Sequence, residues 1–97
     1  MIAKAYLEIT LTISSENRFA AAKIYHDYRQ PFLDTIKGAI SKALLVRDQD
    51  VQVLHGFDSV QHAQDYLSSE LFKNDVFVGL QPLWQKDPVI QIYAVAG

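Results

Sequence analysis

The sequence predicts an α+β domain of β-α-β-β-α-β order, with helices on one face of a four-stranded antiparallel sheet. Three observations predict it. Strand-like alternation of apolar and polar residues marks the N-terminal part of the chain and returns in the middle and near the end. Two longer segments carry apolar residues at helical spacing. No repeat, low-complexity tract or linker interrupts them, so residues 1–97 read as one domain.

Ala5, Leu7, Ile9, Leu11 and Ile13 alternate with Tyr6, Glu8, Thr10 and Thr12, the pattern of a strand with one apolar face. Ser14-Ser15-Glu16-Asn17 then supplies N-cap oxygens and an early acidic residue for a helix. Ala21, Ile24, Tyr25, Tyr28 and Phe32 fall on one side of that helix, with Lys23, His26, Asp27 and Gln30 largely opposite. Pro31 has no N–H and disfavours helix at Gln30, which predicts a kink or break and a short segment from Phe32 to Ile36. Gly38 is the natural stop.

Two strands, Lys42 to Val46 and Val51 to Phe57, follow around the polar turn Arg47-Asp48-Gln49-Asp50. Asp58 is the expected cap of the next helix, and Gln61 completes a capping-box-like pair. Val60, Ala63, Tyr66 and Leu67 form its buried stripe, while Gln61, His62 and Asp65 face outward. Ser68-Ser69-Glu70 restarts helix for Leu71, Phe72, Val76, Leu80 and Leu83, and Pro82 ends or bends it. After Asp87-Pro88, Val89 to Val95 is the last strand. This is the ferredoxin-like arrangement.

Helices cover only one side of such a sheet, yet both sides carry large residues. Val51, Val53, His55 and Phe57 share one side of the third strand, opposite Leu54. Val89, Tyr93 and Val95 lie opposite Ile90 and Ile92 in the fourth. A sheet apolar on both sides needs a second cover, so a homodimer through the sheet face is expected.

Composition removes several functions. The net charge is −2 and the nine basic residues are scattered, so no phosphate-neutralising stripe exists and nucleic acid is not an expected partner. The chain has no cysteine, hence no disulfide framework and no Cys-based metal site, which fits a reducing cytoplasm. No apolar run approaches the ~20 residues of a membrane helix, so a soluble protein with no membrane partner is expected. No glycine-rich phosphate loop and no serine nucleophile elbow occur.

The stretch Val53-Leu54-His55-Gly56-Phe57-Asp58-Ser59, continuing through Ala63-Gln64-Asp65-Tyr66-Leu67-Ser68-Ser69-Glu70-Leu71-Phe72, resembles the antibiotic biosynthesis monooxygenase family. In that family a strand ending in an aromatic residue leads through Asp-Ser to a helix and a small-residue step. The resemblance covers residues 42 to 84 directly and the rest through element order. It implies a dimeric α+β barrel with a pocket between sheet and helices in each subunit. It also implies oxygenases that use no metal or flavin and take electrons from a phenolic or quinol-like substrate. Other members degrade haem.

His55 is the leading titratable candidate, because a near-neutral imidazole suits proton abstraction from a phenol. The competing role is a core or dimer-interface histidine satisfied by a hydrogen bond. His26 and His62 turn away from the apolar stripes and read as surface residues. The three histidines lack metal spacing, so no metal site is expected, although one axial histidine would suffice for haem. Tyr25, Tyr28 and Phe32 on the first helix are candidate substrate-binding residues, with plain core packing as the alternative. Tyr66 and Trp84 are candidate catalytic donors to a developing oxyanion, with packing or a dimer contact as the alternative. Glu8 is a candidate pocket or sheet-margin residue, and Arg29 an anion partner or a surface salt bridge.

Two functions are therefore carried forward, with a third behind them. The first is a cofactor-independent monooxygenase-like enzyme for a small aromatic or quinol-type metabolite. The second is a non-catalytic dimeric module binding a small hydrophobic or aromatic ligand. The third is haem binding or degradation. A pocket of roughly 300 Å³ with His55 and a tyrosine converging on it would favour an enzyme or binder. A closed, wholly apolar core with His55 hydrogen-bonded to backbone would rule the oxygenase out.

Overall fold

In the alternating N-terminal segment every second side chain from Ala5 to Leu11 is buried, as one-sided packing of a strand requires. The computed structural model describes residues 2–97 and places this strand, β1 (Ala5–Leu11), inside a four-stranded sheet. The order is β2 (Ala39–Val46), β3 (Val51–Phe57), β1, β4 (Val89–Ala94), antiparallel at every pairing. That is the ferredoxin-like order. Leu7 pairs with His55 and Ile92, and Ile9 with Val53 and Ile90, so these residues share the face under the helices.

The first helix, α1 (Arg18–Thr35), runs through Pro31 without the expected break. Pro31 withholds one hydrogen bond from the carbonyl of Asp27, but both residues are exposed and water can take the place of that donor. Thr35 Oγ1 donates to Pro31 O at 2.7 Å and helps to hold the last turn. No side chain among the described residues caps α1; a 3₁₀ turn, Ser15–Asn17, leads into it instead. Arg18 ties α1 to the β2–β3 turn by donating to the carbonyls of Ile13, Arg47 and Asp48 at 2.8–2.9 Å.

Gly38 ends the α1 connection with φ of +83°, and a Cβ there would collide with His62 Nδ1 and Asp58 Oδ1. The cap of α2 (Val60–Tyr66) is Ser59, not the expected Asp58: Ser59 Oγ accepts from His62 N at 3.1 Å. Asp58 Oδ1 instead lies 2.5 Å from His62 Nδ1 across one helical turn, and this hydrogen bond lowers the Asp58 pKa. Val60, expected in the buried stripe of α2, is exposed, while Ala63 and Tyr66 are buried.

Ser69 caps the last helical run by accepting from Phe72 N at 3.1 Å. The run opens as one α turn, α3 (Glu70–Phe72), continues as a π-helix over Lys73–Leu80 and closes in a 3₁₀ turn, Gln81–Leu83. Gly79 allows α1 to approach closely, since a Cβ there would sit 3.1 Å from Ile24 Cγ2. No helix among the described residues is long and apolar enough to cross a membrane. Among the described residues nothing covers the other sheet face, and Leu45, Val89, Tyr93 and Val95 stand 46–51% exposed on that side.

Candidate active site

β3 is a central strand, so its inward side chains are the deepest in the fold. His55 is the polar exception among them, only 1% exposed. Its cross-strand neighbour on β2 is Lys42, also buried. A register shift between Ala39 and Ser41 produces this pairing. Ala39 faces Phe57 and Ser41 faces Gly56, and Ile40 is the extra residue that turns Lys42 inward beside His55. Bulges of this kind re-aim side chains.

The Lys42 ammonium meets Asp75, which the π-helix turns into the core. Nζ and Oδ2 are 2.8 Å apart, and both side chains are at most 4% exposed. Nζ also lies 5.4 Å from the Phe32 ring centre and 5.8 Å from that of Tyr25, within cation–π reach. Tyr25 OH donates to Lys42 O at 2.7 Å, and Arg29 Nε donates to the same carbonyl at 3.3 Å. Burial pushes the Lys42 pKa down and the Asp75 pKa up, each only partly opposed by attraction to the other.

His55 Nδ1 lies 3.3 Å from Leu7 O. A carbonyl only accepts, so Nδ1 carries the proton and Nε2 presents a bare lone pair. Burial, reinforced by the Lys42 ammonium, presses the His55 pKa down to about 3, which leaves the ring neutral. Burial raises the Tyr66 pKa and Asp75 adds to the rise, so the phenol keeps its proton. His55 Nε2, Tyr66 OH and Asp75 Oδ1 are buried without a hydrogen-bond partner among the described residues. Such atoms are uncommon in a folded protein and each calls for an explanation.

Phe32 is the hub of the cluster. Its fully buried ring lies 5.1 Å from His55, 5.0 Å from Tyr66 and 5.5 Å from Phe57, centre to centre. The structure thus brings together four of the sequence candidates: His55, Tyr66, Tyr25 and Phe32. Tyr28 is half-buried and outside these ring contacts. Trp84 is also half-buried, bridged to Ile13 and edge-on to Phe77 at 5.9 Å, away from His55. His26 is exposed and Glu8 lies on the uncovered sheet face.

Lys42 and Asp75 are the residues the sequence reading missed. Asp75 sits three residues after Phe72 and one before Val76, within the apolar stripe. Lys42 shares the parity of Leu44. A charge of each sign on two otherwise apolar faces was the available signal.

The core around the cluster is closed. A cavity of about 10 Å³ lies beside Lys42, Asp75 and Tyr25, room for about one water molecule. An open cleft of about 180 Å³ lies outside it, between Thr35, Ile36 and Lys37 on one side and His62, Asp65, Tyr66 and Ser69 on the other. Tyr66 borders both the cleft and the cluster. The core is therefore closed with His55 bonded to backbone, though it is not wholly apolar. The expected pocket of roughly 300 Å³ onto which His55 and a tyrosine converge is not formed among the described residues, because the Phe32, Phe57 and Tyr66 rings fill the space around His55.

No protein-family model matches the chain, and no curated protein matches it in sequence. Solved structures match it in fold. A protein from Caulobacter crescentus CB15, provisionally named an antibiotic biosynthesis monooxygenase, superposes with a TM-score of 0.82 at 15% identity. The match covers 98% of this chain and 92% of that one. The fold is that of the antibiotic biosynthesis monooxygenase-like proteins. A protein of the same provisional name from Bordetella bronchiseptica gives 0.81 at 13% identity, over 96% of this chain and 98% of its own. A protein of unknown function from Nitrosomonas europaea gives 0.80 at 16%, over 98% and 91%. At these identities the likeness is one of backbone, and the Lys42–Asp75 pair is read from this chain alone.

Proposed function

We propose that the chain is a monooxygenase-like enzyme that oxidises a small aromatic or quinol-type metabolite with oxygen and no prosthetic group. The chemistry takes place at the Lys42, Asp75, His55 and Tyr66 cluster. The observation that carries this reading is the set of three partnerless polar atoms beside a buried ammonium. A hydroxylated ring bound there donates to His55 Nε2, while Lys42 and the Tyr66 hydroxyl stabilise the oxyanion left when a hydroxyl ionises. A protonated His55 beside Lys42 is disfavoured, so His55 holds the hydroxyl and Asp75, its pKa raised by burial, is the better proton acceptor. The phenolate then supplies electrons to oxygen. Oxidation of a ring methylene to a carbonyl consumes one O₂, inserts one oxygen atom and releases the other as water with both methylene hydrogens.

A second copy of the chain covers the open sheet face in this reading, through Leu45, Val89, Tyr93 and Val95, and the lack of cysteine fits a reducing cytoplasm. The closed core favours a second reading, a non-catalytic module that binds its ligand on opening. Oxygen uptake with a panel of anthrones and quinols separates the two. We expect turnover by the wild type and at least a tenfold loss in Tyr66→Phe, where one oxyanion donor is gone. No turnover by the wild type, or turnover unchanged in both His55→Ala and Tyr66→Phe, refutes the enzyme. A Soret band on titration with haemin would point to haem instead.

A further inference from the structure

The covered face of the sheet divides in two along β3. The half around His55 and Phe57 is filled by the Phe32 and Tyr66 rings. The half around Val51 and Val53 keeps the cavity of about 10 Å³, walled by Leu11, Leu44, Val51, Val53 and Leu80. Phe32, His55 and Tyr66 take no part in those walls. Lys42 belongs to both halves. It lines the cavity together with Asp75, and its ammonium lies 5.4 Å from the Phe32 ring.

A trapped water needs about two to four polar partners. The Tyr25 hydroxyl already donates to Lys42 O, and the ammonium already donates to Asp75 Oδ2. Partners for a water therefore lie on the Lys42–Asp75 side alone, and the other walls are hydrocarbon. A small apolar molecule needs no such partners, and hydrocarbon-walled cavities bind such guests while staying dry. Dioxygen is apolar and little larger than water. An ammonium beside it matters once it gains an electron, because opposite charges attract far more strongly in a dry core than in water.

We propose that this cavity is a seat for dioxygen beside the Lys42 ammonium. Its use in catalysis rests on reading the Lys42–Asp75 cluster as the oxidising site. While Asp75 is ionised, it cancels the Lys42 charge from 2.8 Å. Once Asp75 takes the proton of the ring hydroxyl, the pair carries a net positive charge. The step that makes the phenolate thus also leaves dioxygen facing an unopposed cation. One electron then passes from the phenolate, which becomes a phenoxyl radical, to dioxygen, which becomes superoxide. The two radicals join through a new C–O bond, the Asp75 proton passes to the peroxide, and loss of water leaves the carbonyl.

The test is NMR of the full chain with labelled methyl groups, under nitrogen and then under oxygen pressure, with no aromatic substrate. Dioxygen is paramagnetic and broadens the methyl signals it touches. The Val51, Val53 and Leu80 methyls should broaden several-fold more than those of Leu7 and Ala63, which are also buried but lie outside the cavity. Val51→Ile puts one more methyl group into the cavity and should abolish that excess; Ala21→Val does so from α1 and serves if the first variant does not fold. Where the wild type consumes oxygen, the filled variant should raise the KM for oxygen by at least about tenfold and leave the KM for the quinol unchanged. Broadening no greater than at Leu7 and Ala63 would overturn the proposal. Magnetisation transfer from water to the Val53 and Leu80 methyls would overturn it too, by making the occupant a trapped water. Excess broadening without oxygen uptake would defeat the enzymatic reading and leave the dioxygen seat standing. Turnover whose KM for oxygen is unchanged in the filled variant would do the reverse.

Discussion

The two faces of the sheet are each at odds with their surroundings, in opposite senses. The covered face is apolar along Ala5, Leu7, Ile9 and Leu11, yet it hides Lys42 and His55. The open face carries Glu8, Thr10, Gln52 and Gln91, yet it displays Leu45, Val89 and Tyr93. Burying an ion pair costs desolvation that its own attraction rarely repays. Displaying apolar surface to water forgoes burial that a partner would supply. Each face thus costs the isolated fold stability, the inner one by holding polar groups in a dry core and the outer one by leaving apolar side chains in water.

The largest expected effect tests the inner face. Asp75→Ala leaves the Lys42 ammonium buried without its partner and should cost about 3–5 kcal/mol in urea unfolding. Replacing both, Lys42→Met with Asp75→Leu, should restore wild-type stability or exceed it, because neither charge then needs desolvation. A double variant as unstable as the single one would show that the pair is structural, and would remove the reason for treating the cluster as a site.

The next effect is a dependence on pH. Folding lowers the His55 pKa from 6.5 to about 3, so on acidification the unfolded chain binds this proton first. The His55 contribution is complete above pH 6.5 and is lost as pH falls towards 3, at about 1.4 kcal/mol per unit. Asp75 acts the other way: burial raises its folded pKa, so protonation in the carboxylate range favours the fold. The slope between pH 6 and 5 is therefore where His55 shows most plainly. Urea midpoints across that range should flatten in His55→Phe. An unchanged slope would place the acid sensitivity elsewhere.

Most of the fold was legible because its signals are local. Alternation from Ala5 to Ile13, the Val51–Phe57 run and the apolar spacing of α1 each require one face of one element, and the structure agrees with them. The errors were also local. Pro31 at an exposed position costs α1 a hydrogen bond without breaking it, and Ser59 displaced Asp58 as the cap because Asp58 bonds His62. The site was legible only in part. His55, Tyr66, Tyr25 and Phe32 lie on faces that periodicity could identify. Lys42 turns inward at a bulge and Asp75 along a π-helix, and both are departures from the periods used to read the chain.

The outer face supplies the smallest change in fold stability and the cleanest contrast. Leu45 and Tyr93 project from the sheet without support from the helices, and each is about half exposed, 46% and 51%. Neither packs into the buried core, so a charge there disturbs little of the monomer. Leu45→Glu with Tyr93→Glu should leave monomer stability within about 0.5 kcal/mol for each substitution, extrapolated to low protein concentration. Sedimentation should nevertheless show a dimer in the wild type and a monomer in the double variant, since two like-charged faces cannot pack together dry. A wild type that stays monomeric at high concentration would reject the second copy as the cover of this face. A double variant that still dimerises would move the interface elsewhere, and the exposure of Leu45, Val89 and Tyr93 would then need a partner of another kind.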